Sequence, residues 1–336
     1  MIANWLARAY GVLDSVVDAT IILSYGSTGY RLRQALIWNP ADLDVDLTGK
    51  VCAITGGNSG IGLAAATQLA RRGACVYLLV RNWERGIAAR ASIIDQTGNE
   101  QVYLEAIDLS DLASVQACGE RLASRLQGLH VLINNAANAF ETRELSADGV
   151  ELTFATNVLG PFALTEALRG LMHRGSRIIN VSSGGMYLAK LDLNEMYGSR
   201  KQHDALRAYA QSKRALMMLT ELWAAQLAAE GVTVNCMHPG WVDTPLLQTG
   251  LPVFRQTLRS ILRTPNEGAD TIVWLAVARE VESATGRFWF DRRPRATHKW
   301  PWTRNSVEDY GRLWADCVRL TTRQFETSCW DRLNRD

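Results

Sequence analysis

The chain is predicted to be an α/β protein with one doubly wound parallel sheet, helices on both faces and a helical extension at each end. Two observations carry this. Short apolar runs alternate with amphipathic helical stretches from about residue 51 to residue 290, the order of strand and crossover helix in a parallel sheet. No proline-, glycine- or serine-rich linker interrupts that alternation, so one domain is expected over residues 48–298, between extensions 1–47 and 299–336.

The first strand is the apolar run from Val51 to Ile54, which ends in Thr55-Gly56; Gly60 and Gly62 follow before Ala64-Ala65-Ala66. This is a buried strand, a tight turn and a helix start of the kind that lets backbone approach a phosphate. Gly56 lets the chain reverse, Gly60 brings backbone near a ligand, and Gly62 lets helix pack on strand. The helix N-terminus then offers free N–H groups and partial positive charge to a pyrophosphate. Helix 61–72 leads to strand 75–80, helix 83–96 to strand 102–107, and helix 111–126 to strand 131–133. Helix 154–171, strand 177–181, helix 206–229, strand 233–237, helix 266–278 and strand 286–290 complete the series. Right-handed crossovers make the sheet Rossmann-like.

With 336 residues, 47% hydrophobic and 21% charged, the chain can bury a large core. A net charge of +2 argues against a global nucleic-acid or acidic-substrate role. The six cysteines (Cys52, Cys75, Cys118, Cys236, Cys317, Cys329) form no CxxC pair, and three lie in apolar runs, which fits free thiols in a reducing compartment. His203, His238 and His298 show no metal spacing, and no metal is expected.

In the N-terminal extension, Ile2, Trp5, Leu6, Ala9, Leu13, Val16, Val17 and Ile21 recur at helical spacing, with Asn4, Arg8, Asp14 and Asp18 opposite. A helix packed on the body is expected, with attachment to a membrane surface as the alternative. No apolar run approaches the ~20 residues a membrane span needs, and the start is too poorly charged for a signal peptide. The expected location is the cytoplasm, free or peripheral to a membrane. Pro40 with Asp42, Asp44 and Asp46 reads as a loop into the first strand.

At the end of the second strand the chain reads Leu79-Val80-Arg81-Asn82, with no acid before Glu84. A carboxylate there would bond a ribose 2′-hydroxyl, whereas an arginine accommodates a 2′-phosphate. NADP(H) is therefore favoured over NAD(H). Tyr209 and Lys213 are one helical turn apart on one face, where an ammonium would lower the tyrosine pKa and let it exchange a proton near neutral pH.

Taken together, these motifs resemble the short-chain dehydrogenase/reductase family over residues 47–298. Thr55-Gly56-Gly57-Asn58-Ser59-Gly60-Ile61-Gly62 resembles its TGxxxGxG cofactor turn, and Asp108-Leu109 its adenine-contacting position. Asn134-Asn135-Ala136-Ala137 is similar to its NNAG segment, Asn157 to its helical asparagine, and Ser183 to its catalytic serine. Tyr209-Ala210-Gln211-Ser212-Lys213 matches YxxxK. His238-Pro239-Gly240-Trp241-Val242-Asp243-Thr244 resembles the PGxVxT loop over the nicotinamide. Arg81-Asn82, the segment Ser183-Gly184-Gly185-Met186, Trp241 and Gly286-Arg287-Phe288 look like the retinol-dehydrogenase-like branch, and in particular proteins of the member-12 type.

The resemblance implies hydride transfer between NADP(H) and a carbonyl or alcohol. Tyr209 would be proton donor, Lys213 would tune it and bond the nicotinamide ribose, Ser183 would polarise the carbonyl, and Asn157 would hold a water linking Lys213 to solvent. It implies cofactor contacts from Thr55, Gly56, Asn58, Ser59, Gly60, Ile61, Gly62, Arg81, Asp108, Leu109, Asn135, Ala136, Tyr209, Lys213, Pro239, Gly240, Val242 and Thr244. Ala137 departs from the pattern, standing where the family has glycine.

Between Ser183 and Tyr209 lie 25 residues, including Met186, Tyr187, Leu188, Leu191, Leu193, Met196 and Tyr197, which are expected to shape an apolar cleft for a lipophilic carbonyl or alcohol. Residues 246–262 are expected to form a second cover. Residues 287–304 hold six basic residues against one acid and carry Trp289, Trp300 and Trp302. They read as a subunit edge or a homo-oligomer contact, not a nucleic-acid site. Ser306-Val307-Glu308-Asp309 is a capping pattern opening a last helix. The competing function is a catalytically quiet regulatory or scaffold protein that kept the nucleotide pocket.

Overall fold

In the computed structural model the described residues are Asp14, Val17, Asp18, 20–194, 203–250 and 252–333. Helices α1 (Ile21–Tyr25) and α2 (Ser27–Leu36) precede β1 (Val51–Thr55). Then come α3 (Gly60–Arg71), β2 (Cys75–Val80), α4 (Trp83–Thr97), β3 (Val102–Ala106), α5 (Leu112–Arg125) and β4 (Val131–Asn134). A single helical turn (Leu152–Phe154) and a π-turn (Ala155–Leu159) lead into α6 (Gly160–Leu168), followed by β5 (Arg177–Val181), α7 (Ala205–Leu227) and β6 (Thr233–Met237). Helices α8 (Pro245–Gly250), α9 (Pro252–Leu258) and α10 (Pro265–Val277), strands β7 (Phe288–Phe290) and β8 (Arg293–Arg295), and α11 (Val307–Leu333) complete the chain.

The sheet runs β3-β2-β1-β4-β5-β6-β7-β8, parallel except for β8. Strand alternation feeds two cores. Ala53, Leu79, Leu132 and Ile178 pack on the α5, α6 and α7 face, while Cys52, Ile54, Leu78, Ile133 and Ile179 pack with α3 and α10 residues. Strand order reverses between β1 and β4, so their carboxyl ends open a crevice where ligands of such sheets bind. Among the described residues, the cysteines with assigned states are free thiols: Cys52, Cys118, Cys236 and Cys317 buried, Cys75 partly so.

The structure departs from the sequence reading in four places. The helix expected over 154–171 contains a π-turn at 155–159 and closes as a 3-10 turn over Arg169–Leu171. The last strand shortens to Phe288–Phe290 and turns back into β8, whose Arg-Pro-Arg sequence carries no strand signal. Asp291 and Arg292 form that two-residue turn, both in the left-handed region (φ 50° and 57°), as hairpins of this length require. The extension also contains α1 and α2; the helix expected over 2–21 falls mostly outside the described residues.

Asp14 is the fourth correction. Expected on a solvated face, it is only 2% exposed. Its carboxylate accepts from Arg33 Nε at 2.7 Å and pairs with Arg295 Nη1 at 2.8 Å. Burial pushes this carboxyl up, but bonds and charge from Arg295 and Arg33 outweigh it and hold it below its ordinary value. Its contribution to stability is therefore present above the unfolded carboxylate pKa and lost as pH falls through the lower folded one. The 306–309 capping pattern forms as read, with Asp309 N donating to Ser306 Oγ (3.1 Å) and Ser306 N to Asp309 Oδ2 (2.8 Å).

Replacing Asp14 by Asn leaves Arg295 and Arg33 short of counter-charge in the interior. Urea unfolding at pH 7 should show a loss of about 3 kcal/mol, and the difference from wild type should shrink as pH falls below the ordinary carboxylate pKa.

Candidate active site

Thr55, at the end of β1, is fully buried and spends its hydroxyl on the protein. Thr55 Oγ1 accepts from Asn135 N (2.9 Å) and Ala136 N (3.0 Å), and Asn135 Nδ2 donates back to Thr55 O (2.9 Å). The turn after β1 is thus tied to the end of β4 across the crevice. Gly56 needs its left-handed φ of 67°. A Cβ on Gly62 would sit 2.4 Å from Gly56 O, so α3 can start only against a bare backbone. Ser59, the N-cap of α3, makes no side-chain cap bond. The helix therefore opens uncapped, with Asn58, Ser59, Gly60 and Ile61 around its free N–H groups, whereas α4, α5, α7 and α10 are capped by Asn82, Asp111, Asp204 and Thr264. An uncapped N-terminus beside a glycine turn fits a pyrophosphate.

Arg81, at the end of β2, has a side chain 63% exposed and lies 4.0 Å from Asp108 Oδ2. The other Asp108 oxygen accepts from Ser110 N (2.9 Å) and Ser110 Oγ (2.6 Å). Leu109 is buried, and its carbonyl lies 2.3 Å from where a Cβ on Gly160 would fall. Ala137, the departure from the family glycine, has no left-handed φ; among the described non-glycine residues only Asp291 and Arg292 do. Alanine is therefore unstrained there. The residues present fit a dinucleotide.

Across the carboxyl edge, α7 carries Tyr209 and Lys213. Lys213 is 1% exposed and held at both ends by β5: its Nζ donates to Val181 O at 2.8 Å, and its carbonyl accepts from Ser182 Oγ at 2.9 Å. The Nζ lies 5.7 Å from the centre of the Tyr209 ring. Burial lowers the Lys213 ammonium to about 8. Burial likewise pushes the Tyr209 hydroxyl up to about 12, opposed by a hydrogen bond from Ser183. The expected lowering of the tyrosine pKa is thus overridden by desolvation in the protein alone. Ser183 Oγ also accepts from Gly185 N at 3.1 Å.

Asn157, on the π-turn, is fully buried and fully bonded. It accepts from Asn138 N (2.8 Å) and donates to Asn138 O (2.8 Å) and Ser212 Oγ (3.0 Å). Ser212 in turn donates to Tyr209 O at 2.8 Å. The Asn157 side chain ties the 138 loop to the helix of Tyr209 and Lys213. Sequence reasoning placed Asn134, Asn180 and Ser182 within motifs but assigned them no bonding role. Asn134 Nδ2 donates to Asn180 Oδ1 (2.9 Å), and Asn180 Nδ2 to Thr220 Oγ1 (2.9 Å), pinning β4, β5 and α7. Their signal was available, because polar residues at 180 and 182 recur at the strand period within an apolar run.

Pro239, Gly240, Val242 and Thr244 follow β6. A Cβ on Gly60 would lie 3.6 Å from Thr244 Cγ2, so this loop meets the cofactor turn. Arg255 grips Asp243 through Nε (2.7 Å) and Nη2 (3.0 Å), tying α9 to the loop. Of the apolar residues expected to line a cleft, Met186, Tyr187, Leu191 and Leu193 are instead packed into the protein's cores, while Leu188 is 80% exposed. Met196 and Tyr197 lie outside the described residues. The basic stretch is largely spent inside the protein, with Arg292 on Asp270 and Arg295 on Asp14. No group of His, Cys, Asp and Glu suited to a metal occurs among the described residues.

A turn that fits a dinucleotide at the switch point, facing partly exposed Tyr209 and Ser183 and buried Lys213, is the arrangement of the class of nicotinamide-dependent oxidoreductases. Comparison with known proteins gives the family. The family model described as short chain dehydrogenase matches residues 50–251. Dehydrogenase/reductase SDR family member 12 of Bos taurus is 42% identical over 277 residues, covering 82% of this chain and 86% of that protein. Retinol dehydrogenase 11 of Mus musculus is 35% identical over 266 residues, covering 78% and 84%. A crystal structure of an uncharacterised protein from Mycobacterium paratuberculosis superposes with a TM-score of 0.68 at 29% identity, over 85% of this chain and 97% of that one. The chain belongs to the short-chain dehydrogenase/reductase family, in its retinol-dehydrogenase-like branch. It is an NAD(P)-dependent oxidoreductase acting on CH–OH/C=O groups.

Because burial lowers the folded Lys213 pKa below its unfolded value, the unfolded chain holds more protons between about pH 8 and 10.5, and stability rises with pH across that window. Lys213→Met should therefore be more stable than wild type at pH 7. That advantage should shrink by up to about 3 kcal/mol by pH 10.5, read as the difference between their denaturation curves.

Proposed function

We propose that the protein is an NADP(H)-dependent reductase or dehydrogenase of lipophilic carbonyls and alcohols, with its catalytic unit at residues 48–298. The observation that carries the reading is Tyr209, hydrogen-bonded to Ser183 and with Lys213 Nζ 5.7 Å from its ring, beside the turn that fits a dinucleotide. The bound cofactor supplies or accepts the hydride. Tyr209 passes a proton to or from the substrate oxygen, and Ser183 orients and polarises that oxygen. Lys213 commits one N–H to Val181 O and keeps two for the nicotinamide ribose. Its positive charge favours the tyrosinate and opposes the desolvation that holds the phenol at about 12. Asn157 acts here as a positioning residue, through Asn138 and Ser212.

For the cofactor, Arg81 is exposed and only loosely paired with Asp108 (4.0 Å), so it can turn to a 2′-phosphate, and no carboxylate occupies its own position. For the substrate, a lipophilic molecule is supported by the similarity to a retinol dehydrogenase. The quiet-scaffold alternative rested on Ala137, whose backbone is unstrained. On this reading the protein works in the cytoplasm, where its free thiols persist, with peripheral membrane contact through residues 1–47 as the variant. No helix among the described residues is long and apolar enough to cross a membrane.

Tyr209→Phe should lower kcat by about 10²- to 10⁴-fold while leaving the dissociation constant for NADPH within a factor of about 2, measured as NADPH oxidation against aldehydes and ketones and by direct titration. Near wild-type turnover would refute the assignment. Arg81→Asp should cut the preference for NADPH over NADH by about tenfold or more, the size of one lost charge-assisted bond; an unchanged ratio of kcat/KM values would remove Arg81 from the cofactor site.

A further inference from the structure

Arg263 is buried (1% exposed side chain) yet directs its guanidinium at three separate parts of the chain. Its Nε donates to Gly26 O (3.2 Å) and its Nη2 to Ser24 O (2.8 Å), both in the N-terminal helical pair. Its Nη1 donates to Pro239 O (3.2 Å), at the start of the loop that meets the cofactor turn. Nη1 and Nη2 also grip the two oxygens of Asp291 (2.6 and 2.8 Å). Asp291 takes a second bond from Arg33 of α2 at 2.7 Å.

Backbone bonds follow the same path. Trp241 N donates to Tyr25 O (2.9 Å), Arg263 N to Trp241 O (2.7 Å) and Asp243 N to Arg263 O (3.0 Å). A Cβ on Gly240 would lie 2.6 Å from Arg263 Nε and 2.7 Å from Tyr25 O, so the loop runs with no clearance against the pair. The Tyr25 ring (6% exposed) packs on His238 (4.7 Å between centres) and Trp241 (5.7 Å). A Cβ on Gly184, next to Ser183, would meet that ring at 2.6 Å. One aromatic ring therefore touches both the residue after Ser183 and the 238–241 segment.

We propose that the N-terminal helical pair is a positioning part of the active site, in which Tyr25 and the Arg33–Asp291–Arg263 ion pairs set the height of the 239–243 loop over the cofactor and the backing of Ser183. This rests on the reductase reading for what the loop covers. Hydride transfer demands such control, since a misplacement of about 1 Å costs roughly 10²-fold in rate.

The test uses the full chain with NADPH as probe. Tyr25→Leu, Arg263→Lys and Gly184→Ala are each compared with wild type by hydrogen exchange, NADPH titration and turnover. The expected result is exchange at residues 239–243 faster by tenfold or more, with β1 and β2 unchanged, an NADPH dissociation constant raised about tenfold and a fall in kcat beyond any change in substrate KM. Gly184→Ala, which pushes on the ring without removing it, should be partly rescued by adding Tyr25→Leu. Uniformly faster exchange over the whole sheet with wild-type NADPH affinity would show a purely structural role and overturn the proposal. If wild type binds NADPH but turns over no carbonyl, the reductase reading fails, while exchange and titration still decide the inference. Should Arg263→Lys fail to fold, Gly184→Ala and its double variant decide alone.

Discussion

Everything the site does depends on how α7 is fastened to β5. Lys213 is held twice by the same strand, at its carbonyl by Ser182 and at its ammonium by Val181 O. One turn toward the N-terminus, this fixes Tyr209 against Ser183 at the strand's end. A lysine in that position is costly to bury, as its lowered pKa shows. Beside it a polar seam, Asn134–Asn180–Thr220, bonds β4, β5 and α7 to one another. Polar residues in this core therefore specify geometry, while the apolar residues around them supply the driving force.

The nucleotide side works by a different economy. Thr55 and Asn135 satisfy one another across the crevice, so the turn between them is rigid before any ligand arrives. The α3 start is left without a cap, although four other helices of the fold have one. Rigid glycines and open donors at the same place form a preorganised anion site.

Much of this was legible in the chain because the signals are local. Strand and helix periods, the glycine turn and the four-residue Tyr209–Lys213 spacing are each set by residues close together in the chain, and the crossover rule gives the handedness of a doubly wound sheet. What escaped was of two kinds. The π-turn at Asn157 and the three-residue β8 are too short to impose a period. The ion pairs of Arg263 with Asp291, and of Arg33 with Asp14 and Asp291, join residues 19 to 258 positions apart, where no pattern marks the partner. Asp14 illustrates the limit: helical spacing placed it opposite the apolar residues, and only the fold shows it set against Arg33 and Arg295.

The missing cap on α3 has a consequence for the protein in its cellular setting. A group that binds the folded chain and not the unfolded one adds stability by mass action, about 2.7 kcal/mol at a hundred times its dissociation constant. On the dinucleotide reading, a bound nicotinamide nucleotide would supply at the start of that helix the cap that Ser59 does not. The standing amount of folded protein is then tied to the supply of its own cofactor, and a cell short of that nucleotide would lose the enzyme as well as the reaction.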